Sequence, residues 1–149
     1  MKQLPEEVPE IDFRNHTCWA KVSRVVDGDT FDINILLPAT KVGEVLIPDL
    51  KTGVDRLAFT GRLRCNGINA LEMKTPQGKI AKEVASKILR EHHNMIWLVF
   101  PNKKEKYGRL LATVYFDEDQ KQPYNDLLIA YRDEEYGVIA EPYDGGKKT

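Results

Sequence analysis

The chain is short of the residues that define several common protein classes. It has only two cysteines, Cys18 and Cys65, far apart among 149 residues, which argues against a disulfide framework and against a zinc site. No run approaches the roughly 18 apolar residues that a membrane-spanning helix needs. The formal net charge is −1, so the chain as a whole lacks the basic excess typical of nucleic-acid-binding proteins.

The length and the hydrophobic fraction of 42% predict one globular domain with an ordinary core. We assign this domain to residues 16–143, between a disordered lead-in over 1–15 and a flexible tail over 144–149. The first ten residues lack the apolar run of a signal peptide, which favours a cytoplasmic location, with a processed secreted form as the alternative. We expect a monomer without membrane contacts.

The charges are unevenly distributed, so local attraction of an anion is possible at a neutral overall charge. The acidic residues concentrate in the lead-in and over 117–119. The basic residues form three clusters, which are Lys103, Lys104, Lys106 and Arg109; Arg62 and Arg64; and Lys79, Lys82 and Lys87.

Hydrophobic periodicity predicts a mainly β fold with helices. Two apolar, β-branched runs flank the turn Asp27-Gly28-Asp29, a pattern typical of a hairpin. Further strands are predicted over residues 45–47, 59–68, 95–100 and 109–116. With two helices placed among them, the main elements follow the order β-β-β-α-β-β-α, which fits an α+β, five-stranded Greek-key barrel of the OB-fold type with two to three peripheral helices.

Both helices are predicted from apolar spacing and end signals. Thr75 is a plausible N-cap, Pro76 suits the first helical position, and the helix should end near Glu91. Its apolar stripe comprises Ile80, Val84 and Ile88, widened by Ala81, Ala85 and Leu89. The second helix is predicted over residues 124–136, with Gly137 near its end and with Leu127, Leu128 and Tyr131 on one face.

The stretch from residue 36 to 58 is a long connection with several prolines and glycines. It forms either a flap over a substrate groove or an extended hairpin at the barrel edge. We favour the hairpin, because surface insertions cost little loop entropy.

Three separate segments carry side chains suited to phosphodiester chemistry. Asp29 follows a glycine at a turn, where its carboxylate can meet a cation, whereas Asp27 can bond the turn backbone. Glu72, just before the first helix, can take a proton from water. Arg62 and Arg64 lie on one face of a strand, and spacing alone leaves either as the phosphate clamp.

The third segment is the basic turn from Lys106 to Arg109. Arg109 can hold the phosphate from the opposite side, and Tyr107 can pack on a base or sugar. Each segment alone has an ordinary explanation, as a turn, a solvated strand charge or a basic hairpin tip. Their joint presence indicates a metal-assisted phosphodiester hydrolase.

The chain resembles the staphylococcal (micrococcal) nuclease-like, or thermonuclease, family. The resemblance rests on the strings Val26-Asp27-Gly28-Asp29-Thr30, Arg64 with Gly67-Ile68-Asn69-Ala70-Leu71-Glu72, and Lys106-Tyr107-Gly108-Arg109-Leu110-Leu111-Ala112. It covers roughly residues 17–143, with both helices in the expected places. Three motifs in the family order make the resemblance specific.

The resemblance implies a calcium-dependent endonuclease that acts on DNA and RNA and leaves 3′-phosphate ends. It assigns Asp29, the residue Asn69 and the carbonyl of Ala70 to calcium, and Glu72 to the role of general base. It assigns Arg64, rather than Arg62, and Arg109 to the phosphate. Substrate contacts fall to Lys106, Tyr107 and Tyr143.

Two departures from the family pattern concern the metal and the turn that carries the general base. Asn69 stands where the family usually has a second aspartate, and its amide oxygen brings no negative charge, so we expect weaker calcium binding. Leu71 replaces the usual proline before Glu72. These departures leave an alternative, a catalytically weakened or inactive OB-fold module that binds nucleic acid. Against it, a binding module has little use for Glu72.

Overall fold

The computed structural model describes residues 13, 15–38, 45–48, 55–103 and 108–143. The predicted lead-in up to residue 12, the residues Lys106 and Tyr107 and the predicted tail over 144–149 lie outside the described residues. Phe13, which falls within the predicted lead-in, is buried and stacks on Phe100 with ring centroids 5.1 Å apart. The packed part of the chain therefore begins earlier than residue 16.

The described residues form short strands and two helices. The strands are β1 (Thr17–Asp27), β2 (Thr30–Pro38), β3 (Val45–Pro48), β4 (Asp55–Cys65), β5 (Ile68–Ala70), β6 (Met95–Val99), β7 (Leu110–Tyr115), β8 (Arg132–Asp133), β9 (Gly137–Val138) and β10 (Ala140–Pro142). The helices are α1 (Pro76–Glu91) and α2 (Tyr124–Ala130).

Five strands close into a barrel in the order β2-β1-β6-β7-β4, with β4 pairing back to β2. All of these pairings are antiparallel except that of β4 with β7. The mainly β, α+β architecture expected from the sequence is confirmed at this level, as is the hairpin around Gly28. The parallel pairing matters for the site, because it brings the end of β4 to the beginning of β7.

The barrel interior is filled by alternate residues of its five strands, as the period of a β-strand requires. On β2 these are Phe31, Ile33 and Ile35, each fully buried. The other strands contribute Ala20, Val22, Leu63, Cys65, Ile96, Leu98, Ala112 and Val114. Cys18 and Cys65 are both free thiols, as expected.

Helix α1 has the bounds and the N-terminal signals predicted for it. Thr75 is the N-cap, and its hydroxyl accepts a hydrogen bond from the Gly78 N–H at 3.0 Å. The deepest residues are Ala81, Ala85 and Leu89, whereas Ile80, Val84 and Ile88 are only partly buried. Because the side chains of Ala81 and Ala85 are small, the helix axis can lie close to the barrel.

The second helix is shorter than predicted. It ends at Ala130, and a small hairpin formed by β8 and β9 takes the place of residues 132–136. Leu128 is buried, but Tyr131 is exposed. The turn of this hairpin is held by Asp133, whose carboxylate accepts hydrogen bonds from the N–H groups of Glu135 and Tyr136, both at 3.0 Å. This local bonding competes with helix formation.

The strand predicted over residues 59–68 is interrupted by a turn at Asn66 and Gly67. The Asn66 N–H donates to the Ala112 carbonyl at 2.8 Å, and the Asn66 carbonyl accepts from the Asn125 amide at 2.6 Å. These bonds satisfy the backbone at the break. The chain then forms β5, which pairs with β10 instead of continuing in the barrel.

The connection over residues 36–58 extends the barrel edge. Strand β2 continues to Pro38 and pairs with β4 from Arg56 onward, while β3 pairs with the first residues of β4. These pairings agree with the predicted extended hairpin and not with a separate flap. Residues 39–44 and 49–54 lie outside the described part.

Within the described residues, no helix has the length and apolar character needed to cross a membrane.

Gly78 fixes the distance between α1 and the chain before it. A Cβ at this position would overlap the backbone carbonyl of Glu72 and lie 2.7 Å from that of Leu71. We therefore expect Gly78→Ala to lower the free energy of unfolding by roughly 2–3 kcal/mol, although alanine is the better helix former. Urea unfolding measures this, with Gln77→Ala as the control in the same turn. Equal stabilities of the two variants would contradict the close approach.

Candidate active site

Strand pairing brings the first two predicted segments together. Thr30 lies directly opposite Arg64 in the β2–β4 register, and Asp29 immediately precedes Thr30. The Cys65 N–H donates to the Asp29 carbonyl at 2.8 Å. The turn after β1 and the end of β4 therefore form one continuous surface at one end of the barrel.

Asp29 has a buried carboxylate with three partners. Its side chain accepts hydrogen bonds from the Thr30 hydroxyl and from the Ala70 N–H, both at 2.8 Å. Nη2 of Arg64 lies 3.7 Å from Oδ2 of Asp29. Since only 7% of Asp29 is exposed, these donors replace the water that an ionised carboxylate would otherwise require.

Arg64 lies at the centre of the site and is only 9% exposed. Its guanidinium donates from Nη1 to the Cys65 carbonyl at 2.8 Å and from Nη2 to Oδ1 of Asn69 at 2.9 Å. The guanidinium carbon lies 5.6 Å from the centre of the Tyr143 ring, within the range of a cation–π contact. We call Asp29, Arg64, Asn69 and Tyr143 the arginine cluster.

The two arginines of β4 differ in their surroundings. Arg62 lies opposite Asp32 and binds it through Nε at 2.9 Å, in an ion pair at the exposed barrel surface. This pair lowers the pKa of Asp32 and raises that of Arg62. Arg64, by contrast, contacts Asp29 and Asn69. Only Arg64 is therefore placed with the other predicted site residues.

Gly28 allows the turn to approach two other elements closely. A Cβ on Gly28 would lie 2.9 Å from the Cβ of Ala70 in β5 and 2.9 Å from that of Ala81 in α1. The carbonyl of Gly28 accepts a 2.6 Å hydrogen bond from the hydroxyl of Tyr124. The glycine in this motif therefore serves close packing as well as the turn.

Asp27 is a second carboxylate beside Asp29. It accepts the Asp29 N–H through Oδ1 at 3.2 Å, which confirms the predicted bond to the turn backbone. Burial raises its pKa from 3.8 to about 6, and the neighbouring Asp29 adds to the shift through a hydrogen bond and through its charge. The turn thus holds two acidic groups in close proximity.

Glu72 is placed differently from the arginine cluster. Its side chain is 72% exposed, and Oε2 lies 3.2 Å from Nζ of Lys74. Its backbone is fixed, since its carbonyl accepts hydrogen bonds from the N–H and the hydroxyl of Thr75 at 2.9 and 2.6 Å. Among the described residues, this side chain forms no hydrogen bond or ion pair with Asp29, Arg64 or Asn69.

Arg109 is half-buried and lies just before β7. In the parallel register Arg64 is opposite Leu111, so Arg109 precedes by two residues the position that faces Arg64. Tyr107 and Lys106 lie outside the described residues. The structure therefore brings together Asp29, Arg64, Asn69, Ala70 and Tyr143, and it places Arg109 next to the beginning of the neighbouring strand.

Two residues of α2 hold the site in place and were missed by the sequence reasoning. Tyr124 is fully buried, bonds Gly28 and packs edge-to-face on Phe31 with ring centroids 5.4 Å apart. Burial raises the pKa of Tyr124 well above its ordinary value. Asn125 holds the turn at Asn66. Helical spacing could have found Tyr124, because it lies four residues before the buried Leu128.

The donor atoms around Asp29 have the chemistry that a hard cation prefers. They are oxygens of Asp27, Asp29 and Asn69, and Ca²⁺ is bound in proteins by carboxylate, amide and carbonyl oxygens. In the described residues no group of three or more His, Cys, Asp or Glu side chains is arranged to hold a metal. Ala70 donates a hydrogen bond from its N–H to the Asp29 carboxylate. These oxygens are thus of the kind that binds calcium, while Oδ1 of Asn69 accepts a hydrogen bond from Arg64 and both carboxylate oxygens of Asp29 accept hydrogen bonds as well.

Neither protein-family models nor curated proteins give a match to this chain.

The raised pKa of Asp27 predicts a pH-dependent cost to stability. Because folding raises this pKa from 3.8 to about 6, the folded state favours the protonated acid, and stability falls as the pH rises through this window. Asp27→Asn should therefore be more stable than the wild type at pH 8, by about 1 kcal/mol after allowance for solvent screening. Urea unfolding at several pH values measures this.

Asp32→Asn is the matched control for that experiment. The pKa of Asp32 is lowered by its pair with Arg62, so its substitution should give no gain in stability at pH 8. The advantage of Asp27→Asn should disappear below about pH 4, where the wild-type carboxyl is protonated in both states. A gain that is independent of pH would show that charge is not its cause.

Proposed function

We propose that this chain is an endonuclease that hydrolyses phosphodiester bonds in DNA, RNA or both. The observation that carries the proposal is the arginine cluster, in which a nearly buried guanidinium is held between an acid, an amide and an aromatic ring at one end of the barrel. A guanidinium stays protonated in such a place and can bind two oxygens of a phosphate.

We further propose that the barrel is an OB-fold. Numbered in chain order, the first of its five strands pairs with the second and the fourth, the second pairs with the third, the fourth pairs with the fifth, and the third runs parallel to the fifth. A five-stranded Greek-key barrel of this kind commonly binds oligonucleotides. Strand order supports the assignment, and the location of the arginine cluster at the barrel end agrees with it.

The proposed roles follow from charge and exposure. Arg64 and Arg109 would stabilise the negative charge that develops on the phosphate oxygens. Glu72 has an exposed carboxylate on a fixed backbone, so water and substrate can reach it, and it would accept a proton from the attacking water. Tyr143, beside Arg64, together with Tyr107 and Lys106, would contact the nucleotide. Cleavage of the bond to the 5′ oxygen would leave a 3′-phosphate.

Calcium is the metal we propose for this site, held by Asp29, Asn69 and the carbonyl of Ala70. When bound, it would polarise a non-bridging phosphate oxygen. Asp29 already has three partners, so its carboxylate is fixed in position before any ligand arrives. Asp27 adds negative charge beside it.

Two contacts favour a second candidate, a binding module without catalysis. Oδ1 of Asn69 is engaged by Arg64, and the carboxylate of Glu72 is near Lys74. In such a module Arg64, Arg109 and Tyr143 would bind the phosphate and the base. The two candidates differ in the need for Glu72 and for calcium.

Cleavage of single-stranded DNA across a calcium titration decides between them. We expect cutting that is lost in EDTA and that Arg64→Ala or Glu72→Gln reduces by about 100-fold or more, since each removes a group that acts in the transition state. Arg62→Ala is the matched control, because it removes an arginine from the same strand and the same face. Circular dichroism confirms that the variants fold.

DNA binding without cutting at any calcium concentration would move the assignment to the binding module. An equal loss of cutting in Arg62→Ala and Arg64→Ala would contradict the assignment of the clamp to Arg64. The absence of both cutting and binding would reject both functions.

Asn69→Asp should strengthen calcium binding by about tenfold, since it adds a negative charge to a set of oxygen ligands. The calcium-induced rise in the thermal unfolding midpoint measures this without any assay of activity. Asn102→Asp, which adds the same single negative charge at an exposed position outside the arginine cluster, is the control. Unchanged calcium affinity in Asn69→Asp would show that residue 69 is not a ligand.

A further inference from the structure

One basic cluster of the sequence has no part in the proposed chemistry. It lies on α1, where Lys79 and Lys82 line a groove of about 540 Å³ together with Met73, Glu83, Ser86 and Arg90. Lys87, which belongs to the same cluster in the sequence, does not line it. The groove therefore has three cationic side chains and one anionic side chain.

The helix period explains which residues meet in the groove. Lys82, Ser86 and Arg90 are spaced by four residues, so they lie on one face of the helix. The Ser86 hydroxyl donates to the Lys82 carbonyl at 2.8 Å, which keeps this small side chain against the helix backbone. The space between the two cations therefore stays open.

The cations of the groove are available to an external anion. Among the described residues, none of Lys79, Lys82 and Arg90 is within ion-pair distance of a carboxylate. Glu83 lines the same groove, yet the sum of the charges remains +2. Such a surface suits a ligand with several negative charges.

The groove begins next to the proposed site. Met73 directly follows Glu72, and Gly78 at the start of α1 packs against the carbonyls of Leu71 and Glu72. From Lys79 to Arg90 the helix rises by roughly 16 Å over 11 residues. A polymer that leaves the site past Glu72 would thus meet a row of positive charges over the length of several phosphates.

We propose that this groove binds the sugar–phosphate backbone of the nucleic acid strand beyond the bond that is cut, so that long strands bind more tightly than short ones. The inference rests on the proposed function for the position of the strand, and it names a substrate contact that the arginine cluster does not contain. Lys79, Lys82 and Arg90 bind phosphates, and Met73 offers an apolar contact to a sugar or base.

The test compares charge reversals at two positions of one helix. Lys82→Glu changes a residue of the groove, whereas Lys87→Glu makes the same change five residues later, about 140° around the helix axis. Both lysine and glutamate are good helix formers, so both variants should fold. Fluorescence anisotropy in EDTA measures binding of single-stranded DNA of about 3 and about 12 nucleotides at several salt concentrations.

We expect Lys82→Glu to weaken binding of the long strand roughly tenfold and to reduce the slope of log K against log salt by about 0.7 or more. Binding of the short strand should change less than twofold. Lys87→Glu should leave both nearly unchanged. Equal effects of the two variants, or equal losses for short and long strands, would overturn the groove as a binding surface.

Cleavage by the wild type separates this inference from the proposed function. If the wild type cuts the short strand in calcium and the two variants bind the long strand equally well, the groove proposal fails and the nuclease stands. If the long strand binds through Lys82 but nothing is cut, the groove stands and the nuclease fails. Failure of the wild type to bind the long strand would overturn the groove proposal, and the absence of cutting in calcium as well would overturn both.

Discussion

The arrangement of the site depends on the burial of the Arg64 guanidinium. A charge that is only 9% exposed must find partners inside the protein, because burial without them is costly. Asp29, Asn69, the Cys65 carbonyl and the Tyr143 ring supply these partners from four separate parts of the chain. Placing one arginine thus requires that the first turn, the end of β4, β5 and the chain after β10 have fixed positions.

The position of Arg64 also depends on close packing around the turn between β1 and β2. Gly28 leaves room for Ala70 and Ala81, and Gly78 leaves room for the carbonyl of Glu72. Helix α1 therefore lies directly against the segment that carries Asn69 and Glu72, and the hydroxyl of Tyr124 fixes the turn from the other side. The motif residues whose side chains take part in the proposed chemistry are thus held in place by residues of two kinds. Gly28 and Gly78 have no side chain, and Tyr124 is buried in the core.

The charge distribution shows how a chain without a basic excess could bind the anionic polymer that we propose as its ligand. The net charge of −1 gives little long-range attraction, so binding would have to come from local surfaces. The arginine cluster and the groove on α1 are two such surfaces, and Glu72 lies in the sequence between Asn69 of the first and Met73 of the second. The first suits the reacting phosphate, and the second suits the phosphates beyond it. A ligand that spans both would gain affinity from each.

The sequence by itself determined the strands of the barrel, the bounds of α1 and the identity of the residues around Arg64, because alternation, helix caps and short motifs are local signals. It failed at the end of α2, where the bonds of Asp133 favour a hairpin over a helix. Only the tertiary structure showed that Arg62 and Arg64 have different partners, since both share one face of β4 and differ in what lies across the sheet. The tertiary structure also showed that Lys82 and Arg90 line one groove and that Lys87 does not. The sequence could not show this, because the groove depends on which side of α1 the neighbouring elements leave open.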